Sequence, residues 1–213
     1  MLRSSDAAVR RVGRWRRPEL FRIVEAALQL GIAAVFVAGV RRLNPSVVVN
    51  ACLSAVFALL PSVLERSHGV PFRPWQRLWI STAALVHAVG ILGPYDWIWW
   101  WDNLAHTLTG VVVAGTADVY FQRVVAKTVD GPNRGRVRAW FVVGATLGFG
   151  LFWELVEYVI HVLARRVGFE PLLVHYGRFD TAADLLFDVL GAGLVVAFGR
   201  VALADVADEM PGE

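Results

Sequence analysis

The chain has 213 residues, 56% of them hydrophobic, with a mean hydropathy of +0.52 and a formal net charge of +3. That is too apolar for an ordinary soluble domain and fits one compact all-α polytopic membrane domain. The charge is modest and the basic residues gather beside apolar runs, which excludes a nucleic-acid footprint. The single cysteine, Cys52, excludes an internal disulfide.

Residues 1–19 form an Arg-rich tail. The apolar run behind it is too long for the core of a signal peptide, so the tail reads as retained and cytoplasmic. The basic residues are nearly all Arg, with Lys127 the sole lysine. That bias suits a GC-rich prokaryotic genome, and with it the plasma membrane. The first span is expected at 20–40, with Glu25 and Gln29 one turn apart. Arg41-Arg42-Leu43-Asn44-Pro45 makes a tight outer turn. The second span covers 46–64, with Pro61 near its end, where freed backbone groups find other partners. A basic loop leads to a third span at 75–92, with Trp75 and Trp79 as interface anchors.

Residues 93–101, Gly-Pro-Tyr-Asp-Trp-Ile-Trp-Trp-Trp, suit an aromatic belt at headgroup depth, with packing against a loop or partner as the alternative. The fourth span is expected at 98–125, the fifth at 138–164 and the sixth at 180–203, followed by an acidic tail at 204–213. Six spans with both ends inside put most of the 21 Lys and Arg on the cytoplasmic side. Only Arg41, Arg42, Arg165, Arg166 and Arg178 stay outside, which follows the positive-inside bias. Asp118, toward the inner end of the fourth span, is expected at the interface. Gly144 and Gly148 form a Gly-x-x-x-Gly pair. These two, with Gly150, Gly191 and Gly193, are read as allowing close helix approach. No internal repeat is visible, which weighs against an inverted-repeat transporter.

The last three spans carry the acids. Asp102 and His106 share one face of the fourth. Glu154, Glu157 and His161 share one face of the fifth, and Asp180, Asp184 and Asp188 form a stripe on the sixth. With the topology above, these groups lie ~6–15 Å below the outer ends of their helices at ~1.5 Å per residue. Carboxylates inside an apolar run are costly, about 2.5–3.5 kcal/mol each near a helix centre, and point to function by default. They should therefore face one another.

Three means of balancing their charge stand open: a divalent metal, a proton relay, or Arg165, Arg166 or Arg178 folding in from the outer loop. Mixed oxygen and nitrogen donors suit Zn, Mn or Fe, and Mg would use mainly the oxygens. The candidate metal ligands are Asp102, His106, Glu154, Glu157, His161, Asp180, Asp184 and Asp188, with Glu154 and Asp184 as candidate catalytic carboxylates. His87 reads as a core hydrogen-bonding residue, and His175 and Tyr176 as solvated loop residues.

Three motifs together carry a resemblance. They are Trp101-Asp102-Asn103-Leu104-Ala105-His106 with Gly110, then Trp153-Glu154-Leu155-Val156-Glu157, then Asp180-Thr-Ala-Ala-Asp184-Leu-Leu-Phe-Asp188-Val-Leu-Gly191. Over roughly 75–203 the chain resembles the YjdF-like family of small prokaryotic inner-membrane proteins. The resemblance implies membrane location and shared acidic positions, and carries no reaction. A more distant likeness is to the VanZ-like membrane proteins, which also place an Asp ahead of a His on a helix; Asn103 departs from the lysine often found there.

The expected partner is the lipid bilayer, with a lipid-like substrate. Three functions are carried forward: a metal-dependent hydrolase or transferase, an ion- or proton-coupled transporter, and a structural protein whose acids only pair helices.

Overall fold

The computed structural model describes residues 18–129, 131–168, 172–173 and 178–209. Most of the Arg-rich tail, the end of the acidic tail, His175 and Tyr176 lie outside the described residues. All described regular structure is helical: α1 (Pro18–Arg41), α2 (Pro45–His68), α3 (Pro74–Gly90), the one-turn α4 (Pro94–Trp97), α5 (Trp101–Arg123), a 3-10 turn (Val125–Lys127), α6 (Arg134–Arg166) and α7 (Arg178–Glu209). Five of these helices are long and apolar enough to cross a membrane, and α3, at 17 residues, falls short of that measure.

Local chemistry explains the breaks. Asn44 caps α2 by accepting a hydrogen bond from the Val47 amide at 3.1 Å, with Pro45 in the first turn. Gly69, at φ 64°, ends α2 in the left-handed region that glycine tolerates. The expected start of the fourth span at 98 gives way to two pieces. Gly93 turns the chain, Pro94 starts α4, and α5 begins at Trp101.

The helices pack as two triplets. α1, α2 and α3 pack on one another around Ile32, Val35, Val47, Ala51, Ala58, Ala84 and Ala88. α5, α6 and α7 pack around Ala114, Val142, Ala192 and Val195. The α3–α5 contact joins the triplets, and two indole hydrogen bonds stitch it. Trp101 Nε1 donates to the Val86 carbonyl at 3.0 Å, and Trp79 Nε1 to the Leu108 carbonyl at 3.2 Å. The aromatic stretch is therefore divided: Trp97 and Trp99 are exposed while Trp101 holds the seam. Trp75, expected as an interface anchor, is half-buried and packs against the second core.

One buried polar group was read otherwise from sequence, and a second, Glu25, meets a neighbouring helix as its position suggested. Asp118 is fully buried rather than interfacial. It accepts from Arg138 Nη2 at 2.8 Å and from Arg138 Nε, while Arg138 also reaches the Val195 and Val196 carbonyls. Arg77 forks onto Glu25 at 2.8–3.1 Å and meets Glu65 at 2.7 Å and Ser62 at 2.6 Å. The fork fits a planar guanidinium.

The glycines also sort differently. A Cβ on Gly144, Gly148 or Gly193 would meet nothing within 4 Å, so the Gly-x-x-x-Gly pair faces open space. The expected close approach holds at Gly150, where a Cβ would lie 2.9 Å from Leu185 Cδ2 of α7, and at Gly191, and the backbones themselves meet between α5 and α7. A Cβ on Gly110 would lie 2.7 Å from the Asp188 carbonyl oxygen, and one on Gly191 2.6 Å from the Thr107 carbonyl oxygen.

Two outcomes follow. Gly191→Ala should destabilise the protein by about 1–3 kcal/mol through overpacking, while Gly144→Ala should be neutral or stabilising. Thermal unfolding midpoints in one detergent check the ranking. Asp118→Asn should cost about 3–5 kcal/mol by stranding the Arg138 charge, and the double change Asp118→Leu with Arg138→Met should recover most of it. Equal midpoints for wild type and Asp118→Asn would contradict the second outcome.

Candidate functional site

The register that aligns the acids buries Glu154, Asp184 and Asp188 and leaves Asp102, Glu157 and Asp180 half-buried. α5 brings Asp102 and His106 onto one face, α7 brings Asp180, Asp184 and Asp188, and α6 brings Glu154 and Glu157. Because Gly110 and Gly191 let α5 and α7 touch backbone to backbone, His106 sits among the aspartates of α7. Its Nε2 lies 3.7 Å from Asp102 Oδ1 and 3.5 Å from Asp184 Oδ1, and its Nδ1 lies 3.4 Å from Asp188 Oδ1. One ligand atom each from Asp102, His106 and Asp184 falls within 4.8 Å of the others. Asp184 and Asp188 are buried, and Asp184 Oδ1 has no hydrogen-bond partner. A buried carboxylate oxygen without a donor is costly, so this atom is where a cation would be most stabilising.

The remaining predicted residues divide. Glu157 faces the interior and accepts from Trp153 Nε1 at 2.9 Å. Glu154 is buried behind it and accepts from the Thr181 hydroxyl at 2.7 Å. Asp180 reaches the same interior space. His161 lies outside the residues that border that space, with Nδ1 making no hydrogen bond. Arg165 and Arg166 are exposed rather than folded in, and the side chain of Arg178 lies outside the described residues.

The space itself is a cavity of ≈ 170 Å³ between the two triplets. Asp102, His106, Glu157, Asp180, Asp184 and Asp188 form one polar wall, and Asn50, His87 and Tyr95 form another. His87 has the hydrogen-bonding role expected of it: Nδ1 is 2.8 Å from the Tyr95 hydroxyl and Nε2 is 3.3 Å from Asn50 Oδ1. Its place on the cavity wall was not anticipated, nor were those of Asn50 and Tyr95. Neutral polar residues on separate helices leave no periodic trace, so only the fold brings them together.

The comparisons place the chain. A family model described as "Predicted membrane protein (DUF2238)" matches residues 24–205. It is the family to which the three acidic motifs pointed. Neither a curated protein nor a solved structure matches. With most of both helical triplets and every acid of the site inside the matched region, the chain belongs to the DUF2238 family of membrane proteins.

Proposed function

We propose that the protein is a metal-dependent membrane hydrolase or transferase acting on a lipid-like substrate, with Asp102, His106 and Asp184 holding one divalent cation. The observation that carries this reading is the orientation of His106. Its Nε2 faces the two carboxylates that complete the ligand group, and its Nδ1 faces Asp188. A ligating imidazole is ordinarily held this way, with its other nitrogen donating to a carboxylate. Asp188 is thus an orienting residue rather than a ligand. One nitrogen with carboxylate oxygens suits Mn, Fe or Zn, and Mg less well. Bound there, such a cation would polarise a phosphoryl or carbonyl oxygen and acidify a water.

The chain's own groups supply the rest. Glu157, on the cavity wall and steadied by Trp153, is placed to accept a proton. Glu154, engaged by Thr181, positions α6 against α7. Six crossings with both ends inside set the cluster in the outer half of the bilayer of a prokaryotic plasma membrane. α3, at 17 residues, reaches ~25 Å against a hydrocarbon core of ~30 Å, so it would span with local thinning.

A coupled transporter is less well supported. Inward of the acids the second triplet closes on Ala114, Val142 and Ala192, then on the Asp118–Arg138 pair. Among the described residues this leaves no polar route through the second triplet.

Elemental analysis of protein purified in detergent and dialysed against Mn or Zn tests the reading. About one metal per chain is expected, with Asp184→Asn abolishing it. Asp188→Asn should keep the metal with about 10–100-fold weaker affinity, the usual cost of losing an outer-shell partner. A folded wild type that takes up no divalent metal sinks the proposal.

A further inference from the structure

The connection between α6 and α7 contributes to the cavity as well as joining two helices. Leu172 and Leu173 lie between the helices as bent backbone, and Leu173 is only 4% exposed. Connections ordinarily run over the surface, where water satisfies their backbone groups. Here an apolar side chain of the connection is buried, and it lines the cavity.

Leu173 stands at one end of that space. Asp102 and Asp180 belong to the first turns of α5 and α7, and Ile91 follows the last residue of α3. All three line the cavity together with Leu173. Ser46 and Asn50, in the first two turns of α2, mark the same end. His106 and Asp184 lie one turn deeper than Asp102 and Asp180. Leu173 therefore sits on the side of the acid cluster from which α5 and α7 enter the bundle.

α2 holds the connection in place through one atom. The Leu172 carbonyl accepts from Ser46 Oγ at 2.8 Å and from Asn50 Nδ2 at 2.8 Å. Ser46 and Asn50 are four residues apart, so one face of α2 presents both donors. Asn50 is fully buried, and its other amide hydrogen goes to the Ser46 carbonyl at 2.9 Å. Its Oδ1 lies 3.3 Å from His87 Nε2 on the cavity wall. The connection belongs to the second triplet and α2 to the first, so this grip ties the triplets at a point away from the α3–α5 seam. It is also a small contact. Two hydrogen bonds and one leucine can be released locally while the helices stay folded.

We infer that Leu172 and Leu173 form a latched plug. Leu173 closes the cavity against the water beyond the starts of α5 and α7. Water-soluble ions and small cations reach the acid cluster when Ser46 and Asn50 release the Leu172 carbonyl. With the plug seated, bulk water is kept from the carboxylates, which strengthens the electrostatic interactions among them. The device is the same whether or not a cation occupies the cluster, and lid openings of this kind occur in microseconds to milliseconds.

The test is the rate at which a membrane-impermeant thiol reagent, trimethylammonioethyl methanethiosulfonate, labels Ala105→Cys in the full chain in phosphatidylcholine nanodiscs. Cys52→Ala removes the native thiol. Ala105 is buried, lines the cavity and precedes His106. Leu43→Cys, at a position 88% exposed between α1 and α2, gives the rate for an open thiol. Ala114→Cys, in the second core, reports loosening of the helices. Labelling at Ala105→Cys should be at least a hundredfold slower than at Leu43→Cys. Leu173→Ala should raise it at least tenfold, or Leu173→Val at least threefold if the first fails to fold. Ser46→Ala should raise it about three- to tenfold, as for one lost hydrogen bond. Labelling at Ala114→Cys should not change. Ala105→Cys labelled as fast as Leu43→Cys in the otherwise unaltered chain overturns the inference. So does a rate unmoved by the Leu173 and Ser46 changes. Equal acceleration at Ala114→Cys overturns it as well, because the helices would then be loosening rather than a plug lifting.

Discussion

The contact on which the site depends is the backbone-to-backbone approach of α5 and α7 at Gly110 and Gly191. With any larger residue at either position the helices would stand apart by at least the depth of a methyl group. Donors now clustered within 4.8 Å would separate. In a membrane, where lipid tails are as apolar as leucine, helices are not driven together by hydrophobic burial, and packing of small residues carries more of the association. The glycines thus do two things with one geometry. They hold the second triplet together, and they set the imidazole of α5 among the carboxylates of α7.

The division into triplets explains why the cavity lies where it does. Each triplet closes on its own core, and α3 against α5 is the main contact between them. Two bundles joined along one edge leave a wedge on the other. The wedge collects side chains from five long helices and from Tyr95 on α4. A ligand site between helical units needs no special loop to form it. The indole bonds from Trp79 and Trp101 keep the joined edge from sliding, and so keep the two polar walls opposed.

What could be read from sequence followed from periodicity. Apolar runs gave the helices, and acids at intervals of three and four gave the faces of α5, α6 and α7, because both signals repeat along one element. Pairings between elements left no such mark. Arg138 looked like one more cytoplasmic charge and Asp118 like an interfacial acid, yet they neutralise each other in the core. Gly144 and Gly148 matched a packing motif by spacing alone, but their side of α6 faces outward. Asn50, His87 and Tyr95 lie far apart in the chain, and only the meeting of α2, α3 and α4 makes them one wall. The seam also explains the aromatic stretch, since residues of one run went partly to the surface and partly to the α3–α5 joint.

The contrast among the buried charges bears on function. If acids in this protein served only to fasten helices, the economical arrangement would be the one at Asp118, a bidentate guanidinium with its remaining donors on backbone carbonyls. Arg77 likewise forks onto Glu25 and reaches Glu65 and the Ser62 hydroxyl in a half-buried setting. In both places the opposing charge comes from the chain. Around His106 the pattern differs. Three aspartates approach one imidazole at 3.4–3.7 Å, longer than a hydrogen bond, and the group opens on a cavity rather than a packed core. A single imidazole, even protonated, offers one positive charge to three carboxylates. The chain that closes the Asp118 site with arginine sets this one beside a cavity with only an imidazole among the aspartates, so its charge is balanced in another way, by shared protons or by a cation.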